Sequence, residues 1–453
     1  MDVGADTRLE LLAIIFRLAG ATEFSQDTVT PYARAVDAYF TRFRGHPVVA
    51  QALALRERRG ISNDAVMSFA VHLSALPMLK LQAQSAGTQL DQRWTLSEAT
   101  SFAELVQDFA RASHPEVFFE SQHELLDTAS ARMRAVVIPR LDVPWFQRMF
   151  GPALRPTRFK LTIGMLNGQW AYGVRVATAS GEREAYAIMN PTARDSLGMP
   201  VFTEELMPIV IHEYGHSFVN PAVDGRLRSF LPAADTLRDA FSVEMKRQGY
   251  VEPRTIVSES VVRAMVARYR LDHEGPDSAR KELIEQQANH FLWINDLFAL
   301  IGSYTHSRDV YPTFDSFLPV IAGYFADLAP RARAVKDQFQ RDLDSRRPRV
   351  VAIVPADGAQ DVNPDLQTIA ITFDRPMRKS FATMLIGADG KAHFPETLST
   401  TWDSTRTVFR MSVRLRPNWT YVFGLNHERV SSFMSDEFVP LKPIVVRFTT
   451  GGG

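Results

Sequence analysis

The sequence predicts a multidomain α+β protein with three parts: a helical N-terminal region (1–150), a small sheet with helices (151–346) and a C-terminal β-sandwich (347–453). Three observations carry this. Apolar residues recur every three or four positions in the first part, whereas the last hundred residues hold short segments of strict apolar/polar alternation. Between them, two β-rich runs flank an Asn-Gly pair. The length of 453 residues exceeds what one core supports and suits two to four domains.

In chain order, LELLAIIFRLAG sets Leu9, Leu12, Ile15 and Phe16 at helical spacing until Gly20 stops it. GISNDAVMSFAVHL restarts a helix, with Asn63 or Asp64 as N-cap, and SFAELVQDFARAS repeats the pattern around Phe102, Leu105 and Phe109. The texture changes near Gly151-Pro152. RFKLTIGMLNGQWAYGVRVA then predicts a hairpin turning at Asn167-Gly168, and EREAYAIMNP a third strand ending at Pro191. Helices follow to about residue 346. DSRRPRV is the predicted linker. Beyond it, IAITF, VFRMSVRL, YVFGL and IVVRF alternate as sandwich strands separated by DG and NP turns. No internal repeat or low-complexity tract is present.

The chemistry concentrates in IHEYGHSFVN, where His212, Glu213 and His216 form H-E-x-x-H. Positions i and i+4 lie on one helix face, so the two imidazoles can aim at one metal while Glu213 serves as base toward a metal-activated water. Helical context is expected from Thr203 as cap, Glu204 and Glu205 in the first turn, and Ile209, Ile211 and Phe218 as apolar anchors. Asn220-Pro221 should end the helix. Pro208 is awkward for a start at Thr203, and a start nearer Glu205 or Met207 removes the conflict.

Two histidines leave the site a ligand short. In TIVSESVVRAMVARYR, Glu259 falls on the stripe of Val262, Val266 and Tyr269, where a carboxylate is costly unless paired or metal-bound. It is the favoured third ligand, against an i,i+4 ion pair with Arg263. His290 is the next candidate, and Asp224, in a PAVDG stretch, reads as a solvated turn residue. Stabilisation of a developing oxyanion could come from Tyr269, Tyr304, His290 or Arg263, among which the spacing does not choose. The other histidines (His46, His72, His114, His123, His273, His306, His393 and His427) lack ligand spacing and read as structural or surface residues.

Composition narrows the partners. The 51 Lys+Arg balance 51 Asp+Glu, so no net field argues for nucleic acid or an acidic membrane. No apolar run approaches the roughly 18 residues of a membrane span. Met1 leads into Asp2 and Asp6 without the charged n-region of a signal peptide. The absence of cysteine excludes disulfides, thiol catalysis and Cys-based zinc sites, leaving His, Asp and Glu as metal ligands.

H-E-x-x-H behind a small sheet, with a glutamate on a later helix, resembles the gluzincin (thermolysin-like) metallopeptidases over roughly residues 150 to 310. That resemblance implies a zincin-like catalytic domain, Zn2+ held by His212, His216 and Glu259, Glu213 as general base, and the strand EAYAIMN as the sheet edge along which a peptide lies. Two departures stand out: Glu259 lies 43 residues beyond His216, and the family's N-E-x-x-S-D is replaced by S-E-S-V-V-R. ELLAIIFRLAG, the hairpin region and HEYGHSFVNP together resemble an uncharacterised bacterial family defined by a domain of unknown function, whose members are often exported. PADGAQDVNPDLQTIAITFDRPM is similar to the bacterial Ig-like domains that decorate secreted or surface proteins. The resemblances imply an extracytoplasmic zinc metallopeptidase acting on a peptide or protein substrate, with cell-surface or glycan contact through the Ig-like module. Two rivals stand beside it. One is a non-catalytic surface binding protein with a vestigial metal site; the other is a non-haem iron enzyme using two histidines and a carboxylate.

Overall fold

The computed structural model describes residues 1–82, 90–151, 157–168, 171–177, 182–191, 193–379, 384–427 and 432–452. The chain is a multidomain α+β protein, helical at its N-terminal side and strand-rich at its C-terminal side. Two compact units form, one from residues 1–238, 249–279 and 295–327, the other from 239–248, 280–294 and 328–453.

The helices before the first sheet are α1 (Thr7–Leu18), α2 (Pro31–Phe40), α3 (Pro47–Arg59), α4 (Asp64–Val71), α5 (Leu96–Ser113), α6 (Pro115–Ser121), α7 (His123–Val137) and α8 (Val143–Phe150). After it come α9 (Met207–Gly225), α10 (Leu227–Ala240), α11 (Ser242–Arg247), α12 (Pro253–Glu274), α13 (Pro276–Ala288), α14 (Ile294–His306), α15 (Phe314–Leu328) and α16 (Ala332–Arg346). Helix α1 is capped by the Asp6 side chain and is buried from Leu9 to Leu18, so it is a core helix rather than a surface one. Asn63 occupies the N-cap of α4, one of the two positions expected, at φ 49° and without a side-chain cap bond; its Oδ1 instead accepts from the Tyr172 hydroxyl.

The first unit's sheet holds β1 (Asp2–Ala5), β2 (Thr157–Ile163), β3 (Tyr172–Ala177) and β4 (Arg183–Met189) in the order β1-β2-β4-β3. Strand β1 had no signal in the sequence. The predicted hairpin between β2 and β3 does not form. Strand β4 lies between them, parallel to β2 and antiparallel to β3, although Gly168 does take the positive φ of a tight turn, 61°. Residues 152–156, where the first texture change was placed, and residues 169–170 of the expected hairpin lie outside the described residues. The strand EAYAIMN is likewise not an edge. Residues 185–189 are all buried, as a central strand requires, whereas β3 alternates buried and half-buried residues and is the outer strand. A turn signature fixes local dihedrals; the burial of β4 on both faces decides which strand it separates.

Helix α9 lies on the sheet face that carries Phe159 and Leu161. Phe159 meets Tyr214 at 4.9 Å between ring centroids, and Phe218 stacks between Phe146 and Phe150 at 5.7 and 4.5 Å. Small residues allow the approach. A Cβ added at Gly173 would sit 2.1 Å from the Glu213 carbonyl oxygen, so α9 and β3 are in backbone contact there. In the second unit, β7 (Val350–Val354), β8 (Thr368–Phe373), β10 (Glu396–Trp402) and β11 (Val408–Arg414) form one sheet in the order β10-β11-β8-β7. Strands β9 (Leu385–Ile386), β12 (Thr420–Leu425) and β13 (Ile444–Thr449) form the other, and Ile369, Ile371, Met411, Phe423, Val446 and Phe448 fill the core between them. A two-stranded ribbon, β5 (Ala193–Arg194) with β6 (Pro200–Val201), precedes α9.

Candidate metal centre

Helix α9 starts at Met207 after a 3-10 turn, with Pro208 in its first turn, where a missing N–H costs nothing. Thr203 makes no side-chain cap bond, and Ile209 is exposed while Ile211 and Phe218 are buried. The helix does not end at Asn220-Pro221 but continues to Gly225. Pro221 has no N–H for the Ser217 carbonyl four residues back, and Arg175 of β3 supplies the missing donor, Nη1 to Ser217 O at 3.1 Å. Asp224 therefore lies in a helical turn, not a solvated loop, and its carboxylate takes both donors of Arg254 in the first turn of α12. Gly215 admits the second helix: a Cβ there would meet Val262 Cγ1 at 3.1 Å.

The crossing of α9 and α12 brings His212, His216 and Glu259 together, with one donor atom from each within 4.8 Å of the others. Nε2 of His212 and Nε2 of His216 are 3.0 Å apart, and the Glu259 oxygens lie 3.2 Å from His216 and 3.5 Å from His212. Bonds of about 2.0–2.1 Å to a tetrahedral zinc place neighbouring ligand atoms about 3.3–3.4 Å apart, so these separations suit that ion. His216 Nδ1 meets Asn220 Oδ1 at 3.1 Å, which directs the other ring nitrogen at the shared point. Glu259 Oε2 is buried without a well-formed hydrogen bond, as a ligand oxygen would be.

Electrostatics point the same way. Burial lowers the His212 pKa to about 3. Burial works against charge on His216 too, but Glu259 overcomes it and raises this pKa to about 9. Burial likewise opposes charge on Glu259, yet both histidines and Arg263 hold its carboxyl well below the usual range. His216 and Glu259 thus form a buried ion pair beside a neutral His212, and a divalent cation would take the place of the proton on His216. Glu213 sits beside it. Burial pushes this carboxyl up to about 7, and the Gly173 N–H of the outer strand donates to it.

Arg263, named from sequence, reaches the site: Nη2 lies 3.2 Å from Glu259 and donates to the Tyr250 hydroxyl at 2.9 Å. Tyr250 was missed. Its hydroxyl interacts with Glu259, and burial holds its pKa far above the usual range, so it remains a donor. The other candidates lie elsewhere. Tyr269 takes the Asp142 N–H, donates to Arg140 O and stacks on His273. Tyr304 donates to Met149 O and is buried. His290 belongs to the second unit, where burial lowers its pKa and Glu244 is its neighbour.

A family model described as a domain of unknown function (DUF4932) matches residues 1–323, and one described as a bacterial Ig-like domain matches residues 344–450. No curated protein matches the chain. Among solved structures, similarity is found to the surface layer protein SbsC, domains 1-6, at 12% identity and TM-score 0.18, covering 58% of this chain and 35% of that one. It is also found to the S-layer protein rSbsC(31-844), at 12% identity and TM-score 0.19, covering 88% and 46%. The chain thus spans between about a third and a half of these neighbours, and at such TM-scores the superpositions define no common fold. Among the described residues no helix is long and apolar enough to cross a membrane.

Proposed function

We propose that this chain, which belongs to the DUF4932 family and carries a bacterial Ig-like domain behind it, is a zinc-dependent metallopeptidase of the gluzincin type. The observation that carries the reading is the convergence of His212, His216 and Glu259 at tetrahedral spacing with Glu213 beside them. A zinc ion held there supplies Lewis acidity, lowering the pKa of water towards about 7 and polarising a carbonyl.

The chain's own residues do the rest. Glu213, raised by burial into the range of a working base, accepts the proton of the attacking water and passes it to the leaving amine. Gly173 N–H steadies that carboxylate, and Asn220 fixes the His216 ring. Tyr250, held by Arg263, donates to the carbonyl oxygen as it gains charge. Strand β3, with no strand on its outer side among the described residues, offers the edge to which an extended peptide adds. The Ig-like domain supports an extracytoplasmic setting with that module as spacer or surface contact.

Cleavage of a mixed peptide library by the zinc-loaded protein tests this. The wild type should produce new termini, and Glu213→Gln should retain zinc and produce none. Equal cleavage by Glu213→Gln removes the base and the mechanism with it.

A further inference from the structure

Outer strand β3 carries a charge that no described residue neutralises. Arg175 points to the face on which α9 lies, as its bond to Ser217 O shows. Arg183 of β4 stands opposite Ala177, while Arg175 stands opposite Ala185, so the two arginines are diagonal neighbours on one face. Neither guanidinium has a carboxylate partner among the described residues, and residues 178–181 of the sequence include no acid. Burial and the Arg183 charge together lower the Arg175 pKa to about 10, the signature of a desolvated cation without a counter-charge. Arg175 uses one N–H to serve the carbonyl that Pro221 leaves open, and a planar fork with five donors has others to offer.

Position gives this pair a use. Gly173, whose N–H meets the Glu213 carboxylate, is two residues from Arg175, about 7 Å at the rise of a strand. We propose that Arg175 and Arg183 clamp a carboxylate of the substrate, so that the protein acts on peptides bearing an acidic group within two or three residues of the cleaved bond. The inference rests on the peptidase reading above. The carboxylate comes from an Asp or Glu side chain or from a free C-terminus, and both present the bidentate geometry that guanidinium recognises.

The test uses full-length Glu213→Gln protein, with and without added zinc, titrated calorimetrically at physiological salt. The probes are hexaglutamate, free-acid hexaglutamine and amidated hexaglutamine. Hexaglutamate should bind, amidated hexaglutamine should not, and Arg175→Gln or Arg183→Gln should each weaken hexaglutamate at least tenfold. Arg175→Lys should recover part of the loss. Binding of free-acid hexaglutamine would assign the C-terminal carboxylate as the source. Arg183→Gln guards against a folding artefact, since this side chain bonds no other described residue and the thermal midpoint should not move. Equal affinity in the variants, or no binding of either anionic peptide, overturns the clamp. Zinc content is read separately, so a protein that binds hexaglutamate but no zinc keeps the carboxylate clamp and loses the peptidase reading on which the clamp's role in cleavage rests.

Discussion

Asn220→Ala isolates how the candidate metal centre is oriented. The Asn220 carbonyl oxygen lies 3.1 Å from His216 Nδ1, one helical turn along α9. That contact holds the ring proton on Nδ1 and leaves the Nε2 lone pair for a metal. Losing such a supporting partner weakens metal binding about 10- to 100-fold, or about 1.4–2.7 kcal/mol. Alanine is the better helix former, so the substitution should not unravel α9. Zinc affinity would be measured by competition with a chromophoric chelator at neutral pH, with helicity checked by circular dichroism. The weakening should appear with secondary structure unchanged, and Asn220→Asp should bind at least as tightly as the wild type. An Asn220→Ala protein with wild-type zinc affinity would refute the argument that Asn220 sets the ring.

Two further outcomes follow from buried groups. Glu10 is fully buried between the Tyr32 hydroxyl and the Met165 N–H, and burial raises its pKa from 4.5 to about 7. Its contribution is complete below about pH 4.5 and is lost as pH rises through 7, on the order of 3 kcal/mol. The thermal midpoint of Glu10→Gln should therefore lack the wild-type decline between these values, and parallel curves would contradict the assignment. Arg175→Gln should cost about 1 kcal/mol in denaturant unfolding, and the cost should vanish in Pro221→Ala, where residue 221 itself donates to Ser217 O. Additive losses would mean that Arg175 does not serve the carbonyl orphaned by Pro221.

How much was legible in the sequence depended on whether a signal was local. The four-residue spacing of His212 and His216 needs only a helix, and α9 provides it. Glu259 could be singled out because an apolar stripe leaves a carboxylate at a buried position, where it must find a partner. The sheet order was not legible. Asn167-Gly168 dictates a turn, but the insertion of β4 between β2 and β3 is decided by burial on both faces. The end of α9 was misplaced at Pro221 because the compensating donor, Arg175, lies on a strand 42 residues before the Ser217 carbonyl it serves. Tyr250 precedes α12 in a loop without periodicity, and only the fold sets it against Arg263 and Glu259. The Ig-like strands IAITF and VFRMSVRL, by contrast, alternate so regularly that their inward residues could be read directly.

The function proposed for this chain depends on zinc at the α9–α12 crossing. Elemental mass spectrometry of the purified protein after exposure to zinc and desalting, beside His212→Ala, tests it most directly. About one zinc per wild-type chain is expected, with its loss in the variant. No zinc in the wild type, or the same content in His212→Ala, would contradict it and leave a surface binding protein with a vestigial site as the better reading.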